Sequence, residues 1–235
     1  MRLASGSLDT RRGHEMKKTD DPLLVSYREL RRGVGLIGIG LPIALPLLGW
    51  IVLGEGVRDS ISSYYWAAAG NGILVGSVFV GALCSIGVFL WSYRGDGKWD
   101  NRAGNLACIA AVSVALFPCS PAGGPEVATR WVHFSAASVL FLLLAYFCFF
   151  SFTGQDPGTT PTDKKPLRNN IYRTCGIMIL SCIASIATMH AVWNGRPPGS
   201  SVFWLEAIAI WAFGWSWYIK GKGLSPVQDN SAKDT

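Results

Sequence analysis

The sequence predicts an all-α, polytopic membrane protein: an antiparallel bundle of six transmembrane helices. Three observations predict it. Half of the 235 residues are apolar and only 15% are charged, where soluble domains carry nearer to about a quarter. Mean hydropathy is +0.30. The apolar residues also fall in unbroken runs of about twenty, the length a helix needs to cross roughly 30 Å of hydrocarbon. Because the runs are continuous rather than alternating, a transmembrane β-barrel is excluded.

The first run, 34–54, reads VGLIGIGLPIALPLLGWIVLG, and the second, 72–93, reads GILVGSVFVGALCSIGVFLWSY. The third, 103–118, has mostly small side chains and at about 1.5 Å per residue is short, so it spans only beside neighbours or in a thinned bilayer. The fourth is 131–153, the fifth 171–193 and the sixth 201–221. Short connections make the six antiparallel neighbours in one domain, 34–221. Residues 1–33 form a polar cytoplasmic segment, partly disordered, with a second methionine at Met16 opening "MKK", so that 1–15 are expected to be dispensable. Residues 222–235 are expected to be a disordered cytoplasmic tail.

Basic residues set the orientation. The N-terminal flank holds eight Lys and Arg, the second loop Arg94, Lys98 and Arg102, the fourth loop Lys164, Lys165, Arg168 and Arg173, and the tail Lys220, Lys222 and Lys233, which is 18 of 21. The remaining loops hold Arg58, Arg130 and Arg196. This pattern predicts that both termini are cytoplasmic. It also explains the net charge of +6 without nucleic acid; the partners expected are membrane lipids and further copies of the chain.

The six cysteines show no C-x-x-C spacing and read as small packing residues. Gly72 and Gly76, and the stripe Ser181, Ser185 and Thr188, read as close helix contacts. Trp50, Trp131, Trp193 and Trp204 on one side, and Trp91, Trp99 and Trp217 on the other, read as interfacial belts. The mixed charges of "YRGDGKWDNRAGN" and "LRNNIYR" read as solvated connections, with phospholipid binding by the arginines as the functional alternative.

Ionisable side chains at membrane depth are costly and are functional candidates by default. Here they converge on the non-cytoplasmic side. Asp59, Ser60, Ser62 and Ser63 lie in the loop "RDSISSYYW". His133 lies at the outer end of the fourth helix and His190 at that of the fifth. Glu206 is about 7 to 8 Å into the sixth by helical rise, and Asn71 flanks the set. Asp59, Ser60, Ser62, Ser63, Asn71, His133 and Glu206 are the candidate ligand-binding residues. Asp59, Ser60 and Glu206 are the catalytic candidates, since a carboxylate with a histidine makes an acid/base pair. His133, His190 and Glu206 are the candidates for a divalent metal, Zn²⁺ or Fe²⁺. The plain alternative is interfacial solvation of helix ends, with "SISSYY" a turn. Helical phase points His190 away from Ser181, Ser185 and Thr188, onto the face of Ile183 and Ile186.

The stretches "DSISSYYW", "VGSVFVGALCSIGVFLWSYRG", "GNLACIAAVSVALFP", "RNNIYRTCG" and "FWLEAIAIWAFGWSWYIKG" resemble a group of uncharacterised bacterial six-helix integral membrane proteins. The resemblance runs over about residues 30–221, and the SIS-x-YY loop is its most specific piece. More remotely, an outer Ser/Asp pair with helical histidines is similar to the alkaline ceramidase superfamily, which implies metal-dependent lipid amide hydrolysis. That superfamily has seven helices and a late H-x-x-x-H pair; here His190 and Asn194 occupy the spacing. The expected function is binding, sensing or carrying a small or lipidic ligand in an outer-leaflet polar cavity. The metal-dependent lipid hydrolase is the alternative.

Overall fold

The computed structural model describes residues 22–68, 75–95, 97–120, 127–154 and 163–221. They form six α-helices: α1 Pro22–Leu53, α2 Val75–Ser92, α3 Lys98–Leu116, α4 Arg130–Tyr146, α5 Lys165–Val192 and α6 Ser201–Lys220. A short 3-10 helix covers Ser62–Trp66, and a π-helical turn, Phe147–Ser151, extends α4. No β-strand occurs among the described residues. Five helices are long and apolar enough to cross a membrane; α3 is the exception. Its first turn carries Lys98, Asp100 and Arg102, and small alanines fill most of its buried face.

Three helices begin earlier than the apolar runs suggest. α1 is helical from Pro22, the first described residue, rather than from Val34. An Arg32–Glu29 ion pair at 2.6 Å braces the polar turns, and the Arg32 Nε donates to Gly221 O at 2.9 Å. That contact ties the start of α1 to the end of α6. α3 starts at Lys98 and α5 at Lys165, as the polar residues ahead of each apolar run continue the helix.

Each helix packs on its sequence neighbours, and α6 closes the ring against α1. Closure depends on two glycines. A Cβ on Gly35 would lie 2.7 Å from Gly214 O, and one on Gly214 would lie 2.8 Å from Gly35 O. Only glycine lets the two backbones meet this closely. Arg32 and Gly221 mark one end of the bundle, the basic end; the loop 54–67 caps the other, the loop end.

Two cores fill the ring. At the basic end Tyr93, Phe147, Phe152, Tyr172 and Trp217 are buried together, their rings mostly edge to face, the preferred arrangement for aromatic quadrupoles. At the loop end Leu41, Leu45, Ile61, Tyr64, Phe79 and Phe203 pack together. Outward-facing Ile43, Ile51, Ile109, Leu142, Phe150 and Ile177 give the bundle an apolar girdle.

Several expectations are corrected. Trp217 is 1% exposed and belongs to the core rather than to a belt. Trp215, two residues and thus about 200° away, is the exposed indole there. The stripe on α5 makes no close helix contact: Ser181, Ser185 and Thr188 are exposed. Ser185 and Thr188 return their hydroxyls to Ser181 O and Ala184 O, each at 2.8 Å. Gly72 lies outside the described residues. Gly76 is a close contact, but with the loop: a Cβ there would strike the Tyr65 and Tyr64 carbonyls.

Candidate functional site at the loop end

The loop begins where α1 stops. Gly54 has φ +67 and ends the helix in a left-handed turn, with Gly54 N–H on Trp50 O and Glu55 N–H on Gly49 O. The first of these is the single bond that closes a helix C-terminus on a left-handed glycine. Arg58 then curls the chain inward. Its Nη2 pairs with Glu55 at 2.6 Å, its Nη1 donates to Ser63 O at 3.2 Å, and its backbone N–H donates to the Tyr64 hydroxyl at 3.3 Å.

The serines divide into two roles. Ser60 and Ser63 bond reciprocally: Ser63 N–H donates to Ser60 Oγ at 3.0 Å, and the Ser63 hydroxyl donates to Ser60 O at 2.6 Å. They cap a turn and shape the loop, much as a capping box does at a helix start. Ser62 points elsewhere. Its Oγ lies 2.9 Å from His133 Nε2, inside the bundle. Between them Ile61 is buried in the core at 2% exposure, and Tyr64, fully buried, sits over Gly49. "RDSISSYYW" is therefore neither a solvated turn nor an open lining. It is a plug set into the helix ends.

Two side chains of the bundle hold the plug. Glu206 Oε2 accepts the Ile61 N–H at 2.6 Å, with the Ser62 N–H as a second backbone donor. Amide bonds to a carboxylate are among the strong ones. Its partners here are peptide groups; among the described residues the salt bridges are Arg32–Glu29 and Arg58–Glu55. His133, 2% exposed, engages both ring nitrogens, with Nδ1 2.8 Å from Phe117 O. A carbonyl can only accept, so Nδ1 carries the proton. In the neutral ring Nε2 then accepts from the Ser62 hydroxyl. Phe117 O is available because α3 ends at Leu116.

The rest of the plug is fastened by main chain. Phe203 N–H, in the first turn of α6, donates to Asp59 O at 2.9 Å, satisfying one of the amides a helix start leaves open. Gly76 N–H donates to Ala67 O at 3.2 Å. Trp66 Nε1 donates to Cys119 O at 2.9 Å. The Cys119 thiol is buried, and burial, helped by the nearby Glu206 carboxylate, pushes its pKa up to about 12.

Of the candidates, Ser62, His133 and Glu206 are gathered around one element, with Ser60 and Ser63 shaping it. Asp59 joins through its carbonyl; its side chain is exposed, contrary to the expectation that the carboxyl would meet His133 and Glu206. The helix N-terminus needed an acceptor, and the Asp59 peptide supplies it. His190 is not part of the cluster. Its ring packs on Phe134, centroids 5.8 Å apart, and Phe134, whose centroid lies 6.0 Å from that of His133, stands between the two histidines. Asn71 lies outside the described residues. Among the described residues no three His, Cys, Asp or Glu side chains come close enough to hold a metal ion, so His133, His190 and Glu206 do not form a ligand set. Cys119 and the Phe117 carbonyl were missed; a backbone acceptor leaves no mark in residue type, and Cys119 read as packing.

Compared with family models, with curated proteins and with solved structures, the chain matches none.

Proposed function

We propose that this is a multi-pass protein of the bacterial inner membrane, with both termini cytoplasmic, that senses or binds a small or lipidic ligand in the outer leaflet. The basic-residue bias supports the orientation, with loops 55–71, 119–130 and 194–200 outside. In a background lacking native cysteines, an impermeant maleimide should label a cysteine at Gly124 and spare one at Gly158. Labelling at Gly158 in intact cells would reverse the orientation.

The observation that carries the sensing reading is the Glu206 clamp. A carboxylate at the membrane edge is held by the amides of a loop rather than by a fixed cation, and those amides compete poorly with a ligand bearing a positive charge or several donors. Such a ligand takes the carboxylate, Ile61 and Ser62 lose their acceptor, and the plug shifts from one bonded state to another. A ligand changes this equilibrium only by binding the two states differently, and the carboxylate is the group that differs. Mass spectrometry of material co-purifying with wild type, Glu206→Gln and Glu206→Leu tests it. The ligand should be lost from both variants; its full retention by Glu206→Leu would sink the reading.

A second reading, acyl transfer on a lipid ester or amide, is favoured by one observation. Ser62 Oγ, His133 Nε2 and the Phe117 carbonyl on Nδ1 reproduce the order of nucleophile, base and orienting group. This version uses no metal. Fluorophosphonate labelling of Ser62, abolished in His133→Ala, would support it; absence of label would dismiss it.

A further inference from the structure

The basic end holds a cleft that the plug and its clamp do not involve. It opens between α1 and α2, lined by Leu30, Arg31, Val34, Phe89, Ser92, Tyr93 and Trp217. Its free volume is about 10 Å³, the space of one water-sized group. Ser92 at the mouth is exposed, whereas Val34, Tyr93 and Trp217 form a buried floor. No carboxylate is among the lining residues.

The polar groups of this cleft are mostly donors. Trp217 is buried, and its Nε1–H has no acceptor among the described residues, although a buried donor left unmade costs about 1 to 3 kcal/mol. The Arg31 guanidinium lies 5.3 Å over the Tyr93 ring, which fixes a full positive charge at the wall. The Ser92 hydroxyl proton is already given to Val88 O at 3.0 Å. Leu30 and Phe89 supply an apolar flank. An anion with an exposed oxygen meets a guanidinium and a buried N–H together.

We infer that this cleft binds the phosphate of an anionic phospholipid: one oxygen enters toward Arg31 and Trp217 while the acyl chains run along Leu30 and Phe89. The setting favours a lipid over free phosphate, since Trp91 and Trp99 are exposed at the same end beside Arg94 and Arg102, with Arg94 donating to Trp91 O at 2.8 Å and Arg102 5.1 Å over the Trp99 ring. Aromatic and basic side chains at one level are the residues that sit among headgroups. The cleft also explains why a tryptophan rather than a phenylalanine stands in an aromatic core.

The test is a titration of the purified full-length protein with phosphatidylglycerol and with phosphatidylcholine, read by native mass spectrometry, beside inorganic phosphate as competitor. Wild type should retain phosphatidylglycerol preferentially. Trp217→Phe keeps an aromatic side chain and the net charge but removes the N–H together with part of the indole, so it should weaken retention at least tenfold, the worth of one hydrogen bond to a charged group being about tenfold. Arg31→Gln should weaken it at least as much, and Arg94→Gln, the same loss of charge outside the cleft, little. Displacement by inorganic phosphate at low concentration would assign the site to free phosphate; resistance to it assigns it to the lipid. Unchanged preference in Trp217→Phe, or in Arg31→Gln should Trp217→Phe fail to fold, overturns the site.

Discussion

The two ends of the bundle solve burial in different ways. At the loop end, polar groups from distant parts of the chain meet in pairs: Glu206 with the Ile61 amide, His133 with Ser62 and Phe117, Trp66 with the Cys119 carbonyl. At the basic end, Tyr93, Phe147, Phe152 and Trp217 pack ring against ring, with Tyr93 OH and Ser151 Oγ bonded at 2.6 Å and Asp100 accepting the Tyr146 hydroxyl at 3.2 Å. The first arrangement is directional and fails one bond at a time. The second is volumetric and fails when space is left empty. The difference predicts that a conformational change, as the proposed sensing role requires, would fall at the loop end, with the basic end as its fixed base.

The largest expected effect tests the base. Trp217→Ala empties the centre of the aromatic core and should destabilise by about 4 kcal/mol, measured by denaturant unfolding in detergent; a loss similar to that of a surface substitution would break the comparison. Next is Gly76→Val, whose side chain would collide with the Tyr64 and Tyr65 carbonyls and should cost about 3 kcal/mol, concentrated in the plug. Cys119 reports that motion. With its thiol pKa raised to about 12, it stays protonated and inert through neutral pH, and in wild type its alkylation should climb only as pH approaches that value. In Gly76→Val, Cys119 should react near neutral pH; inertness there would mean that the plug does not move.

Glu206→Leu should cost about 2 kcal/mol, the penalty of a buried amide left without an acceptor, and should also expose Cys119. Glu206→Gln retains an accepting oxygen and should lose less than half as much. Equal losses would show that charge, not hydrogen bonding, holds Ile61. Ser60→Ala removes one half of the reciprocal cap and should cost about 1 kcal/mol. Ser185→Ala, on the exposed stripe, should stay within about 0.5 kcal/mol; a larger loss, or a change of oligomeric state, would make that stripe an interface between copies of the chain.

The six helices were legible because hydrophobic length is a one-dimensional property. Their starts were not, since the polar turns at Pro22, Lys98 and Lys165 are held by contacts such as Arg32 to Gly221 O, which no local pattern encodes. At the site, Ser62, His133 and Glu206 were found from the cost of polar groups at depth. Asp59 was read with the wrong atom, because a carboxyl is visible in a sequence and a carbonyl is not. His190 was placed among the outer histidines by depth, although its helical phase already put it on the apolar face of Ile183 and Ile186. Depth says which end a residue occupies, whereas rotation about the helix axis decides whom it meets, and His190 meets Phe134. The Gly35 and Gly214 contact joins positions far apart in the chain, so neither "GLIGIG" nor "AFGW" could name its partner.

That contact has a consequence in time. Ribosomes deliver α1 well before α6, yet the two are neighbours, and the seat of the plug includes Glu206 on α6. Until α6 enters the bilayer, the nascent chain carries a glycine face on α1 without its Gly214 partner and a loop whose Ile61 amide lacks the Glu206 acceptor. The arrival of this one helix is thus a discrete event in assembly: it closes the ring, satisfies the loop and caps its own N-terminus on Asp59.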